Sequence, residues 1–214
     1  LNNAQAISQS LSISIHDIAC GHLALHYAFG FSVITSHLSS GARVRLTNHS
    51  FIDSELWKLI RADKVTHLPG VPFNFHIMLR FGCERLKIPS VKSVAQAGGA
   101  LDLESKKKLY DWMNSNQGKL YIMYGQTEAA PRISTLQPEK FINSPNSVGE
   151  SLPGGRIKIL NPDKDGVGEV IYIGPNVMMG YAETKNDLIT EDNMHKKLNT
   201  GDFGYIDKFN QLVL

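Results

Sequence analysis

Four short strand-like runs, Arg43–Thr47, Lys64–Leu68, Val91–Ala95 and Lys119–Tyr124, alternate with segments whose apolar residues recur at helical spacing. This alternation constrains the fold more than any other feature of the chain. Parallel strands need long crossover connections, and amphipathic helices are the usual ones. The connecting segments carry the matching signals. Asp53 stands at a predicted N-cap, and Leu56, Leu59 and Ile60 form one apolar helical face. Val71–Phe81 follows with Pro72 in its first turn. Asp102 is placed to cap a helix bearing Leu109, Trp112 and Met113 on one side, with Gly118 as its stop. Upstream, residues 2–37 read as mainly helical, with one helix from about Asn3 and a second from about Asp17 or Cys20.

The pattern changes near Ser144. Gly155–Leu160, Gly168–Ile173 and Asn199–Ile206 read as short strands, with turn signals at Asn161-Pro162-Asp163 and Asp165-Gly166. The expected fold class is therefore α/β, with a parallel-sheet lobe over residues 1–145 and a small β-barrel-like lobe over residues 146–214. The boundary is expected at 144–150.

Composition narrows the function classes. The chain has 214 residues and a formal net charge of +2, from 22 Lys and Arg against 20 Asp and Glu. A dedicated nucleic-acid binder would show a basic stripe. Lys106, Lys107 and Lys108 form the only triple basic run, which reads as a solvated helix face. No run reaches the ~18 apolar residues of a membrane helix. Leu1–Ser10 lacks the basic start and apolar core of a signal peptide. Cys20 and Cys83 are too few for a disulfide framework and read as buried, reduced thiols of a cytoplasmic protein.

Three segments carry chemistry. Tyr121–Tyr124 is an apolar run that ends in Gly125-Gln126-Thr127-Glu128. Ligands of open α/β sheets bind beyond the carboxyl ends of strands, which is where Thr127 and Glu128 fall. A carboxylate beside a hydroxyl suits Mg²⁺, which keeps few protein oxygens, and Tyr124 is placed to stack on a purine. Without a ligand the same segment is a strand followed by a polar loop. Ala97-Gly98-Gly99-Ala100 ends the preceding strand in small residues that let backbone approach a flat ligand. Thr200-Gly201-Asp202 offers a carboxylate to paired ribose hydroxyls, or else a simple β-turn. Other motifs fall away. His22 and His26 have helix-face spacing, but Leu23 stands where a zinc protease needs Glu. Gly166-Val167-Gly168 reads as a hairpin rather than a dinucleotide turn, and no G-x-S-x-G is present.

Together these residues resemble the acyl-adenylate-forming superfamily of acyl-CoA synthetases, aryl ligases, luciferases and peptide-synthetase adenylation domains. Tyr124-Gly125-Gln126-Thr127-Glu128 is similar to its Y-G-x-T-E motif, Gly98-Gly99-Ala100 to its adenine loop, and Thr200-Gly201-Asp202 to T-G-D, followed by Gly204-Tyr205-Ile206-Asp207. Gly168-Glu169-Val170, Gly174-Pro175 and Gly180-Tyr181 look like its G-E…G…GY stretch. His26-Tyr27-Ala28-Phe29-Gly30 resembles its acyl-pocket segment. The matches run in family order from about residue 2 to the end.

The resemblance implies an AMP-forming ligase that activates a carboxylic acid with Mg·ATP and passes the acyl group to CoA or a phosphopantetheine thiol, so an acyl-carrier protein is a candidate partner. By the same likeness Glu128 would hold Mg²⁺ and Thr127 would meet the α-phosphate. Tyr124, Gly125, Gln126 and the Gly98–Ala100 loop would hold AMP, and Asp202 would bind the ribose. Tyr27, Phe29, Gly99, Gly125 and Ala130 would line the acid pocket. Phe29, Phe31, Tyr27, Val71 and Phe73 favour a fatty or aryl acid, and no buried basic residue is assignable to a second carboxylate. The family's S-G-T-T-G-x-P-K phosphate loop and its lysine-bearing C-terminal domain have no counterpart here. A core fragment with little adenylating activity of its own is therefore expected. The alternative is a non-catalytic nucleotide-binding or scaffolding module.

Overall fold

A computed structural model describes residues 1–189 and 191–214. Its main sheet is built on a period of two. Along β1 (Ile18–Gly21), Ile18 and Cys20 point into one apolar cluster and Ala19 into another. Along β5 (Lys119–Tyr124), Leu120 and Ile122 face the first cluster, and Tyr121 and Met123 the second. Both faces are buried, as a parallel sheet requires. Helices α1 (Asn2–Ser10) and α2 (Ala28–Ser39) cover one face through Ile7, Phe29 and Val33. Helices α3 (Ser54–Ala62), α4 (Pro72–Phe81) and α5 (Leu103–Ser115) cover the other through Leu56, Phe75 and Leu109. Each such fully buried side chain contributes about 1.5–3 kcal/mol.

The strand order is β2-β1-β3-β4-β5-β6-β7, where β2 is Arg43–Leu46, β3 His67–Gly70, β4 Ser93–Gln96, β6 Ser134–Leu136 and β7 Glu150–Ser151. The first five strands in this order are parallel, and β6 and β7 add to the edge antiparallel. A second, four-stranded antiparallel sheet runs β11-β10-β9-β8, from Leu212–Val213, Lys197–Ile206, Gly168–Ile173 and Arg156–Leu160. It is an open sheet rather than a closed barrel. Gly166-Val167-Gly168 lies in its β8–β9 hairpin.

Three expectations are corrected. No helix starts at Asp17 or Cys20, because Ile18–Gly21 is a strand between β2 and β3, and α2 begins only at Ala28. His22 and His26 therefore share no helix face; His22 packs against the Phe51 ring. The strand expected from Lys64 begins at His67, because Val65 N–H still bonds the Ile60 carbonyl and closes α3. Asp53 precedes α3 but spends its carboxylate on the Ser50 amide and hydroxyl, whereas Asp102 caps α5 through Ser105 N–H at 2.8 Å. Both cysteines are buried and unpaired, and burial pushes each thiol pKa up to about 12.

Candidate functional site

β4 and β5 are parallel neighbours in register, Gln96 beside Ile122, so the chain leaves both at the same end of the sheet. This brings Gly98-Gly99-Ala100 beside Tyr124-Gly125. Between them is a cavity of about 370 Å³, lined also by Gln96, Lys106 and Met123. The turn needs its glycines: Gly98 has φ +75° and Gly99 φ +143°. A Cβ at Gly98 would strike the Tyr27 hydroxyl. Gln96 Nε2 donates to the Gly99 carbonyl at 2.8 Å and fixes the loop from below.

Gly125 is required for a different reason. The chain turns through a 3-10 segment at Thr127–Ala129 and doubles back, so a Cβ at Gly125 would overlap the Pro131 carbonyl. Ala130, expected in the acid pocket, is an exposed left-handed residue at this turn, φ +55°. The turn is held from the second sheet. Asn176 Nδ2 donates to the Ala129 and Arg132 carbonyls, and Tyr172 Oη donates to Asn176 Oδ1 at 2.7 Å.

The second sheet also brings Thr200-Gly201-Asp202 to the strand end. Tyr124 Oη donates to Asp202 Oδ2 at 2.5 Å, and Gln126 Nε2 to the Thr200 carbonyl at 3.2 Å. Residues 78 positions apart thus meet through a charge-assisted bond. Burial, then the Asp202 carboxylate, holds the Tyr124 phenol well above its ordinary pKa. Asp202 itself is exposed, and among the described residues its Oδ1 accepts no hydrogen bond.

Glu128 is half-buried and Thr127 exposed. Tyr181 Oη donates to Glu128 Oε1 at 2.8 Å, and Met178 N–H to the Glu128 carbonyl. Among the described residues no three His, Cys, Asp or Glu side chains gather as a metal site. A single carboxylate beside a hydroxyl fits Mg²⁺, which takes one or two protein carboxylates and fills its shell with phosphate and water.

The acid-pocket residues divide. Tyr27, at the N-cap of α2, lies over Gly98 and is partly exposed. Phe29 is buried, its ring edge-to-face with Tyr27 at 6.1 Å. Phe31 and Phe73 are exposed, 58% and 64%. Two basic residues run against expectation. Lys106 is buried, not solvated, and reaches the cavity beside the Gly98–Ala100 loop; burial lowers its pKa. Only Lys107 and Lys108 face water, the latter paired with Glu104 at 2.6 Å. Arg132 is 2% exposed, so a buried cation does stand beside the acid-pocket residues. Its guanidinium lies 4.3 Å from the centre of the Phe29 ring. Nothing in Pro131-Arg132-Ile133 sets this arginine apart from a surface one; its place depends on Phe29 and Ser32, about a hundred residues earlier.

The profile of the AMP-binding enzyme family matches residues 1–182. The 2-succinylbenzoate–CoA ligase of Staphylococcus aureus (strain MSSA476) is 28% identical over 185 residues, covering 86% of this chain and 36% of that protein. Among solved structures, VinN with L-aspartate superposes with a TM-score of 0.80 at 28% identity, over 99% of this chain and 52% of the other. The o-succinylbenzoate CoA synthetase (MenE) of Bacillus subtilis, with its acyl-adenylate intermediate OSB-AMP, gives 0.80 at 26%, over 99% and 43%. The chain thus spans about a third to a half of the length of these relatives. No described helix is long and apolar enough to cross a membrane.

Proposed function

The chain belongs to the AMP-binding enzyme family, and on that premise we propose that it carries the adenylate and acyl sites of an AMP-forming acid–thiol ligase. The observation that supports this best is that Tyr124 lines one cavity with the Gly98–Ala100 loop and donates its hydroxyl proton to Asp202, 78 positions away in sequence. The adenine would lie between the Tyr124 ring and the flat Gly98-Gly99-Ala100 backbone, with Gly125 and Gln126 shaping its edge. Asp202, aimed by the Tyr124 hydroxyl, keeps Oδ1 to accept from a ribose hydroxyl, since a carboxylate has about four lone-pair sites. Division of labour follows the two lobes: residues 1–145 hold base and acid, and residues 146–214 bring the ribose carboxylate.

Activation joins an acid oxygen to the α-phosphorus of ATP and expels pyrophosphate. A thiol, from CoA or a carrier-protein pantetheine, then takes the acyl group and releases AMP. Glu128, steadied by Tyr181, and the Thr127 hydroxyl would hold Mg²⁺, which when bound offsets charge on the phosphate oxygens. Thr127 also offers its O–H to the α-phosphate. Tyr27 and Phe29 wall the acid side, opposite the base. Relatives named for 2-succinylbenzoate and complexed with L-aspartate support a small carboxylic acid as substrate.

Photolabelling with 8-azido-AMP tests the reading. Label is expected on the peptides carrying Gly98–Ala100 or Tyr121–Gln126, and excess AMP should suppress it. Labelling confined to other peptides, or unaffected by AMP, would refute it.

A further inference from the structure

The guanidinium of Arg132 is buried without a counter-ion. One Nη donates to Ser32 Oγ at 3.1 Å, the other touches the Met123 thioether, and Nε has no hydrogen-bond partner among the described residues. The Phe29 ring beneath it, 4.3 Å away, is uncharged. Among the described residues no carboxylate pairs with it. Its charged neighbourhood is otherwise basic or neutral: the imidazoles of His37 and His67 lie within electrostatic reach, and burial keeps both below their ordinary pKa. A buried cation is normally paired, because leaving its charge uncompensated costs several kcal/mol. Sulfur and hydroxyl are poor substitutes for the planar carboxylate that the guanidinium fork matches. Accordingly, desolvation pulls its pKa from 12.5 down to about 9.

Its position gives the charge a use. Arg132 Cα lies 2.9 Å from where a Gly125 Cβ would be, and Met123, which its fork touches, lines the same cavity as Gly98 and Gly125. The Phe29 ring and then the Tyr27 ring lie between it and the Gly98 loop. The Met123 thioether that its fork touches is flexible, and Tyr27 is partly exposed.

We infer that Arg132 is a specificity-determining residue that receives a second carboxylate of the acid, so that the substrate class is dicarboxylic or otherwise carries an anion at the end remote from the activated carboxyl. The inference rests on the proposed ligase reading. The bound carboxylate would accept from the unused Nε–H and from the second N–H of the Nη that donates to Ser32, which share one edge of the guanidinium, a bidentate pair that a methyl terminus cannot supply. A monocarboxylic fatty or aryl acid would leave the guanidinium as uncompensated as it is now.

Two matched ladders of stable acyl-adenylate mimics test this by calorimetry on the 214-residue chain. They are 5′-O-sulfamoyladenosines N-acylated with succinyl, glutaryl or adipoyl groups, against the butanoyl, pentanoyl and hexanoyl controls of the same length. AMP is titrated in parallel. The expected result is that at least one carboxylate-terminated mimic binds about ten- to a hundredfold tighter than its methyl-terminated partner, the effect of one charge-assisted pair. Arg132→Met should erase that preference and leave AMP affinity unchanged, while Arg132→Lys should keep part of it. The wild-type comparison stands even if a variant fails to fold. AMP binding with no preference at any length, or with a preference for methyl, overturns the inference alone. Failure of AMP and all mimics to bind overturns the ligase reading with it.

Discussion

Replacing Arg132 by Met should not destabilise the chain, although the residue is 2% exposed and touches three neighbours. The ordinary outcome for so buried a residue is a large loss. Here the guanidinium's folded-state pKa lies below its unfolded value, so at neutral pH the charge opposes folding. Taken from 12.5 to about 9, the penalty is on the order of 5 kcal/mol. Against it stand a hydrogen bond from a charged donor to Ser32, about 1.5–3 kcal/mol, and stacking on Phe29, about 1–2 kcal/mol. Methionine keeps most of the side chain's volume and removes the charge. The backbone bonds from Asn3 and Asn176 to the Arg132 carbonyl do not depend on the side chain. The sum predicts a variant as stable as wild type or more stable by up to about 2 kcal/mol, in line with buried charges replaced by apolar residues. Urea unfolding followed by tryptophan fluorescence at pH 7.5 measures it directly. A loss beyond about 3 kcal/mol would mean that the guanidinium is a structural anchor rather than a charge held ready for a ligand.

Other consequences are as open to measurement. Burial lowers the His22 pKa from 6.5 to about 4 in the folded state. The unfolded chain therefore binds more protons below pH 6.5, and stability should fall by about 1.3 kcal/mol from this residue between pH 7.5 and 5.5. His37 and His67 act in the same direction; an equal pH loss in wild type and His22→Leu would refute the His22 share. Gly125→Ala should cost about 3 kcal/mol in thermal or urea unfolding, because its Cβ meets backbone that cannot give way; wild-type stability would contradict the close approach of Pro131 to Gly125. Cys20 and Cys83 should ignore a disulfide reagent at pH 8 until the chain unfolds. A fast native reaction at either would contradict its burial.

The parts legible in sequence were those whose signal is local. Tyr121–Tyr124 followed by Gly125 reads as a strand ending at a turn because apolar alternation and a glycine are adjacent, and the parallel neighbour relation then brings Gly98–Ala100 alongside. The strand Ile18–Gly21 was hidden, because its small residues Ala19 and Gly21 fill tight places in the sheet and give no β-branched pattern. Lys106 and Arg132 were hidden for a different reason. A basic residue is read as solvated by default, and only long-range packing, of Arg132 against Phe29 and of Lys106 into the cavity beside Tyr124, removes each from water. The Tyr124–Asp202 bond was half legible: both residues stood out, and the hydrogen bond that joins them did not.

The adenylate site is tested most directly by titrating AMP into the wild-type chain and into Asp202→Ala by calorimetry. The account predicts saturable one-to-one binding to wild type and about tenfold weaker binding to the variant, the loss expected for a hydrogen bond to a charged group. Equal affinity in the two would contradict the ribose contact, and no binding to wild type would contradict the site itself.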